Sequence, residues 1–275
     1  MDVRLPRAIL AGVVGLGLSV SGAVYQGIFR NPLADPYLLG VAQGCALGAV
    51  LGFMMPFGFG SIPLFAFLGG ILAISLVYLI GRVGRFLPTT TLILAGVAVG
   101  AFFSSITYFL LVRAKEELHG ILFWLLGGFF LTDWGDVFIV TPYVIIGSLL
   151  LSLYGRALNV MQLGEEEALY LGVNVERTKL VLILLSTIIT ASCVSFCGII
   201  GFVGLIMPHL VRLIWGTDYR FLIPLSGALG FIFLILADTF ARVILSPIEI
   251  PVGVITAFCG APFFLYILRR RRVVL

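Results

Sequence analysis

The sequence predicts an all-α polytopic membrane protein with about nine membrane-spanning helices, each needing about 20 mostly apolar residues. Three observations lead to this class. The 275 residues are 61% hydrophobic and only 11% charged. Mean hydropathy is +1.18, which is more apolar surface than a soluble domain of this size can bury. Apolar runs of spanning length fill the chain from end to end, so residues 1–275 read as one membrane permease domain with no soluble appendage. The 33 glycines and 12 prolines point to helices that pack closely, kink or break, with short interfacial pieces between the spans.

Residues 8–28 form the first span, led in by Arg4, Pro6 and Arg7 without the cleavage site of a signal peptide. A polar turn over 30–36 leads to the second span, 38–55. There Gly44, Gly48 and Gly52, at four-residue spacing, make a face that another helix can approach. Residues 63–80 are the third span, ended by 81–85. Pro88, Thr89, Thr90 and Thr91 open the fourth, 92–112, with Gly96 and Gly100 on one face. Residues 113–119 are a charged loop. Residues 121–131 are too short to cross and read as an interfacial or re-entrant helix, with Trp124 and Trp134 near its ends. Spans follow at 137–154 and 180–197. Gly198, Gly201 and Gly204 then interrupt the pattern, and 205–215 is another short helix, containing Pro208 and His209. Residues 221–244 and 252–268 complete the set, closed by Arg269, Arg270, Arg271 and Arg272.

Positive charge sets orientation. The four C-terminal arginines put that end in the cytoplasm. Counting spans back from them, with 205–215 as a short crossing, puts Arg30, Arg82, Arg85, Arg156, Arg177, Lys179, Arg212 and Arg220 inside. Arg4, Arg7, Arg113, Lys115 and Arg242 fall outside. The N-terminus is then outside, ahead of an odd number of crossings, which suggests a further helix before it. The net charge of +4 reads as topology, not as nucleic-acid affinity.

No catalytic constellation is visible. There is no GxxxxGK[ST] phosphate loop. His119 and His209 are far apart, and His209 beside Pro208 reads as structural or interfacial. Cys45, Cys193, Cys197 and Cys259 lie inside apolar runs as small packing residues, not metal ligands. Asp238 and Arg242, four apart near the outer end of a span, can pair on one helix face. A proton- or sodium-coupled carrier normally needs acids near the midplane, and this chain has almost none, so an external energy source is expected.

The longest polar interruption is 159–175. Glu165, Glu166 and Glu167 follow Leu163 and Gly164 and suit the positive end of a helix dipole. Ala168, Leu169 and Leu171 supply an apolar side, and Gly172 a stop. The residues are compatible with a surface-lying docking helix or with a solvated connecting loop.

Six segments together resemble the FecCD family, the permease subunits of ABC importers for iron chelates, haem and cobalamin. They are RLPR from Arg4, SGAVYQGIFRNPLADPYLLGV from Ser21, GEEEALYLGV from Gly164, GFVGLIMPHLVRL from Gly201, LADTFAR from Leu236 and PVGVITAFCGAPFF from Pro251. They span nearly the whole chain in the family's order. The resemblance implies a non-enzymatic permease in a bacterial or archaeal cytoplasmic membrane. It implies a homodimer with the pathway between the copies, two ATPase subunits that bind ATP and Mg, and a substrate-binding protein on the outer face. It implies one helix more than is present here, ahead of the first span. It places the coupling helices that seat in the ATPase within 159–175, at Leu163, Gly164, Glu165, Glu166, Glu167, Ala168, Leu171 and Gly172. It puts a cytoplasmic gate at Thr89 and Thr90, a pair that can also cap a helix, and binding-protein docking at Arg4, Arg7 and Arg242. No cofactor is expected in this chain. The expected cargo is a ferric siderophore or haem, with cobalamin possible. An oxyanion such as molybdate stays open within the family, and an ion-coupled secondary transporter or a non-transporting scaffold outside it.

Overall fold

The computed structural model describes residues 4–55, 58–84, 86–130 and 132–271. Arg85, Leu131 and Arg272, used in the sequence reading, lie outside the described residues. The chain is a bundle of helices: α1 (Arg4–Ile28), α2 (Val41–Met54), α3 (Ile62–Gly81), α4 (Thr89–Arg113), α5 (Leu118–Leu125), α6 (Trp134–Leu153), α7 (Gly155–Met161), α8 (Glu165–Tyr170), α9 (Val175–Cys197), α10 (Val203–Trp215), α11 (Tyr219–Val243) and α12 (Val252–Arg271). Among the described residues, α1, α3, α4, α6, α9 and α11 are long and apolar enough to cross a membrane, and α2, α10 and most of α12 are shorter apolar helices. The order matches the nine predicted spans, and α5 is the predicted short piece.

The bundle has two ends. Gln162 on α7 donates to the Gly27 carbonyl at the end of α1, and Asn159 meets Asp218 and Tyr219 at the start of α11. That end, with α7 and α8, is the acidic end. At the opposite, arginine end, Arg7 near the start of α1 meets Asp238 near the end of α11. Following each helix between them, Arg30, Arg82, Arg156, Arg177, Lys179, Arg212 and Arg220 collect at the acidic end. Arg4, Arg7, Arg113, Lys115 and Arg242 collect at the other.

α1 is the hub: nearly all of it is buried, packed along α11 and against α6, α9 and α10. α2 pairs with α3. A side chain at Gly44 would meet the Gly69 carbonyl and one at Gly48 the Phe65 carbonyl. The predicted glycine face is therefore where the two backbones touch, the close approach that drives helix association in lipid.

The two short crossings share one cause. Residues 29–40 and 198–202 return into the bundle as irregular backbone before α2 and α10 begin. Such backbone survives at membrane depth only when buried in protein with its polar groups satisfied. The segments satisfy each other: the Tyr37 hydroxyl donates to the Ile200 carbonyl at 2.9 Å and accepts from the Ile200 amide at 3.3 Å. Leu38 and Leu39 are as apolar as helix, so the sequence-based start at 38 precedes the real one at Val41, while the start at 205 falls two residues inside α10, which begins at Val203.

Candidate functional site

The stretch 159–175 folds as two helices, α7 completed by Met161 and the six-residue α8, not as one docking helix or a plain loop. The three glutamates occupy the first turn of α8, where carboxylates face the positive end of the peptide dipoles. Gly172, at φ 84°, ends the element. The Val173 amide donates to the Ala168 carbonyl and the Gly172 amide to the Leu169 carbonyl. This is the left-handed stop that a residue without Cβ makes at low cost. Asn174 then caps α9 by accepting from the Arg177 amide.

The predicted coupling residues divide by exposure. Ala168 is fully buried with Met161 and Val175 in a small cluster separate from the main core, and Gly164 is buried too. Those two shape the element but cannot touch a partner directly. Leu163 (65%), Leu171 (62%), Leu169 and Tyr170 (90%) are exposed, as are Glu166, Glu167 and Gly172. Large apolar side chains gathered at the charged end of a membrane bundle mark a contact surface. Tyr170 was missed in the sequence, where it reads as one residue of the amphipathic turn.

Glu165 faces inward. Its Oε2 lies 2.7 Å from the Lys179 Nζ, and the Lys179 side chain is 0% exposed. The ammonium also donates to the Leu87 carbonyl at 3.1 Å and lies 3.9 Å from Glu176 Oε1. Glu176 Oε2 accepts the Leu87 amide at 2.7 Å. A sequence-based start at 180 leaves Lys179 and Glu176 outside the span, and Leu87 enters through its backbone amide and carbonyl, which its side chain does not signal. The helix begins at Val175, so Lys179 sits one turn inside it, and a buried cation there is the signal that was available.

Thr89 and Thr90 form the first turn of α4, with Thr90 exposed. They do not cap it: Pro88 is the cap residue and no side-chain cap bond forms. The Thr91 hydroxyl instead donates to the Gly81 and Pro88 carbonyls at 2.7 and 2.9 Å, closing the α3–α4 loop.

At the arginine end, Arg4 is exposed. Arg7, expected to face a docking partner, is not free to do so: its side chain is 8% exposed and ion-paired to Asp238 at 2.9 Å and Glu249 at 2.8 Å. Arg242 shares Asp238 at 3.2 Å across one helical turn, the pairing expected from the spacing, and stays partly exposed. A cavity of about 490 Å³ opens near this end between α5, α6 and α9. Phe123, Trp124, Phe129, Phe130 and Phe196 line it, with Asp133 and Asp136 among its walls.

These features define a multi-pass membrane protein of the transport-permease class, with an exposed two-helix element at one end. The FecCD transport family model matches residues 1–270, and the chain belongs to that family. It is 47% identical over 98% of its length to the cobalamin import system permease protein BtuC of Halobacterium salinarum, covering 73% of that protein. It is 39% identical over 99% of its length to the hemin transport system permease protein HmuU of Yersinia pestis, covering 83% of it. A solved structure described as inward-facing and of the metal-chelate ABC type superposes with TM-score 0.92 at 35% identity, over 98% of this chain and 86% of that one.

Proposed function

We propose that this chain is the permease subunit of a binding-protein-dependent ABC importer for a metal chelate: cobalamin, haem, or a ferric citrate or siderophore complex. The single observation that carries the reading is the α7–α8 element, which presents Leu163, Tyr170, Leu171, Glu166 and Glu167 outward at one end of an otherwise apolar bundle. Two copies form the pathway, and two ATPase subunits seat on their α7–α8 elements and supply the energy. The acidic end and the C-terminus face the cytoplasm, because most of the Lys and Arg residues gather there. Relatives named for cobalamin, hemin and ferric dicitrate import support the substrate class.

The test is uptake into proteoliposomes holding the permease with its cognate ATPase and binding protein, offered labelled cobalamin, haem and ferric citrate in turn. ATP-dependent uptake of one of them, insensitive to ionophores, is the expected result. Uptake by the permease alone that collapses with an ionophore would instead mean a secondary transporter. Uptake of molybdate alone would overturn the substrate class.

A further inference from the structure

We infer that Lys179 is a positioning residue that links α8 to the loop opening α4, so that a displacement of the docking element reaches Thr89 and Thr90. This rests on the importer reading above. The link runs through one peptide unit on either side of Leu87. Its carbonyl accepts from Lys179 and its amide donates to Glu176. Both anchors stand on the first turns of α9, and Leu87 itself is buried. Holding both backbone groups of one residue fixes its orientation as well as its place. Pro88 follows, with a locked φ that also restricts Leu87, and α4 begins at the next residue. Movement of Leu87 is therefore transmitted to the first turn of α4 and not absorbed in a flexible loop.

The other half of the link is Glu165. α8 rests on its own small apolar cluster, and among the described residues Lys179–Glu165 is its ion pair to the bundle. An ammonium with no exposed surface is costly to leave without its closest carboxylate. When α8 shifts, Lys179 follows Glu165, and Leu87 is the other group in its grip. The three partners come from α8, α9 and the α3–α4 loop, so one cation joins the docking element, a spanning helix and the gate loop.

The experiment uses the full complex of permease, ATPase and binding protein. Hydrogen exchange of segments 82–88 and 165–170 is followed with and without a non-hydrolysable ATP analogue, beside ATP hydrolysis and uptake of the three labelled substrates. In the wild type, nucleotide changes exchange in both segments. In Lys179→Met it changes 165–170 alone, and the ATP hydrolysed per substrate moved rises about tenfold, within the range of ordinary site-to-site coupling. Lys179→Arg, which keeps the charge, restores part of both. If Lys179→Met does not assemble, Glu165→Ala decides: it frees α8 while Lys179 keeps Glu176 and the Leu87 carbonyl, and the same one-segment response is expected. A two-segment response with an unchanged ratio in Lys179→Met, or in Glu165→Ala where the former fails to assemble, overturns the link and leaves Lys179 as a static staple. A wild-type complex that moves none of the substrates with ATP overturns the importer reading instead, whatever the variants do.

Discussion

Arg7 and Asp238, 231 residues apart, form a buried two-point ion pair: Arg7 Nη2 and Nε lie 2.9 and 3.1 Å from Asp238 Oδ1. The pair clamps the start of α1 to the end of α11, the two helices with the most extensive contact in the fold. Glu249 and Arg242 complete a cluster of two cations and two anions.

Breaking a buried pair by removing one partner strands the other charge, at a cost of about 3–5 kcal/mol, whereas replacing both by apolar groups is often nearly neutral. Arg7→Met or Asp238→Leu alone should therefore lower thermal stability in detergent sharply, and Arg7→Met with Asp238→Leu should recover most of the loss. Additive losses in the double variant would mean that the two residues act separately.

The α2–α3 contact makes a second stability prediction. A leucine at Gly44 would drive its side chain into the Gly69 carbonyl, which belongs to backbone and cannot swing aside. Gly44→Leu should cost at least about 1–3 kcal/mol, the usual range for overpacking. Gly172→Leu meets open space and carries only the strain of its positive φ, so it should cost less. Melting temperatures of the two purified variants check the order.

Asp218 gives a pH prediction. Hydrogen bonds from the Arg220 side chain, the Asn159 amide and the Arg220 backbone hold its carboxyl well below the usual carboxylate range. A depressed folded-state pKa adds stability that is present above the unfolded value, near 4, and is lost only as pH falls through the folded one. The α7–α11 junction should thus be indifferent to pH from about 8 to 5. Melting curves of wild type and Asp218→Asn should stay parallel across that window and converge in stronger acid. Divergence between pH 8 and 5 would contradict the assignment.

The spans were legible because a helix that crosses lipid must carry a long apolar run, and the Gly44, Gly48 and Gly52 spacing survives directly as a contact face. Broken backbone was legible only as interruptions, the polar turn at 30–36 and the glycines at 198, 201 and 204; that the two segments run inside the bundle and satisfy each other through Tyr37 and Ile200 was not, because those partners are 163 residues apart. At the candidate site, the row of glutamates and the Gly172 stop could be read locally. Which glutamate turns inward could not, because the partner of Glu165 lies on another helix. Arg7 failed for the same reason: before an apolar run it looks like a membrane-surface anchor, and its partners arrive from the far end of the chain.

The exposed face of α7–α8 should carry the ATPase contact in a few residues. Large side chains near the centre of an interface often contribute about 2 kcal/mol or more each, roughly thirtyfold in affinity. Tyr170→Ala and Leu171→Ala should each weaken association of the purified ATPase with the detergent-solubilised permease to about that extent, without lowering the permease's own melting temperature. Glu166→Lys and Glu167→Lys should weaken it further at low salt. Unchanged affinity in all four would remove α8 from the interface.

The arginine end separates docking from stability. Arg4 is exposed and Arg242 partly so, while Arg7 is consumed by Asp238 and Glu249. If this face receives an acidic binding protein, Arg4→Glu should slow association, most strongly at low ionic strength, where charges about 10 Å or more apart are still felt. It should leave the melting temperature unchanged, because Arg4 touches none of the ion-pair cluster. Arg242→Glu should slow association and also lower the melting temperature, since it places a third carboxylate beside Asp238 and Glu249. Arg7→Met should act through stability, with any loss of docking following the loss of folded protein. Stopped-flow association at two salt concentrations, beside melting curves of the same three variants, separates these outcomes. A salt-independent rate for Arg4→Glu equal to wild type would reduce Arg4 to a headgroup anchor and move the docking surface elsewhere on this end.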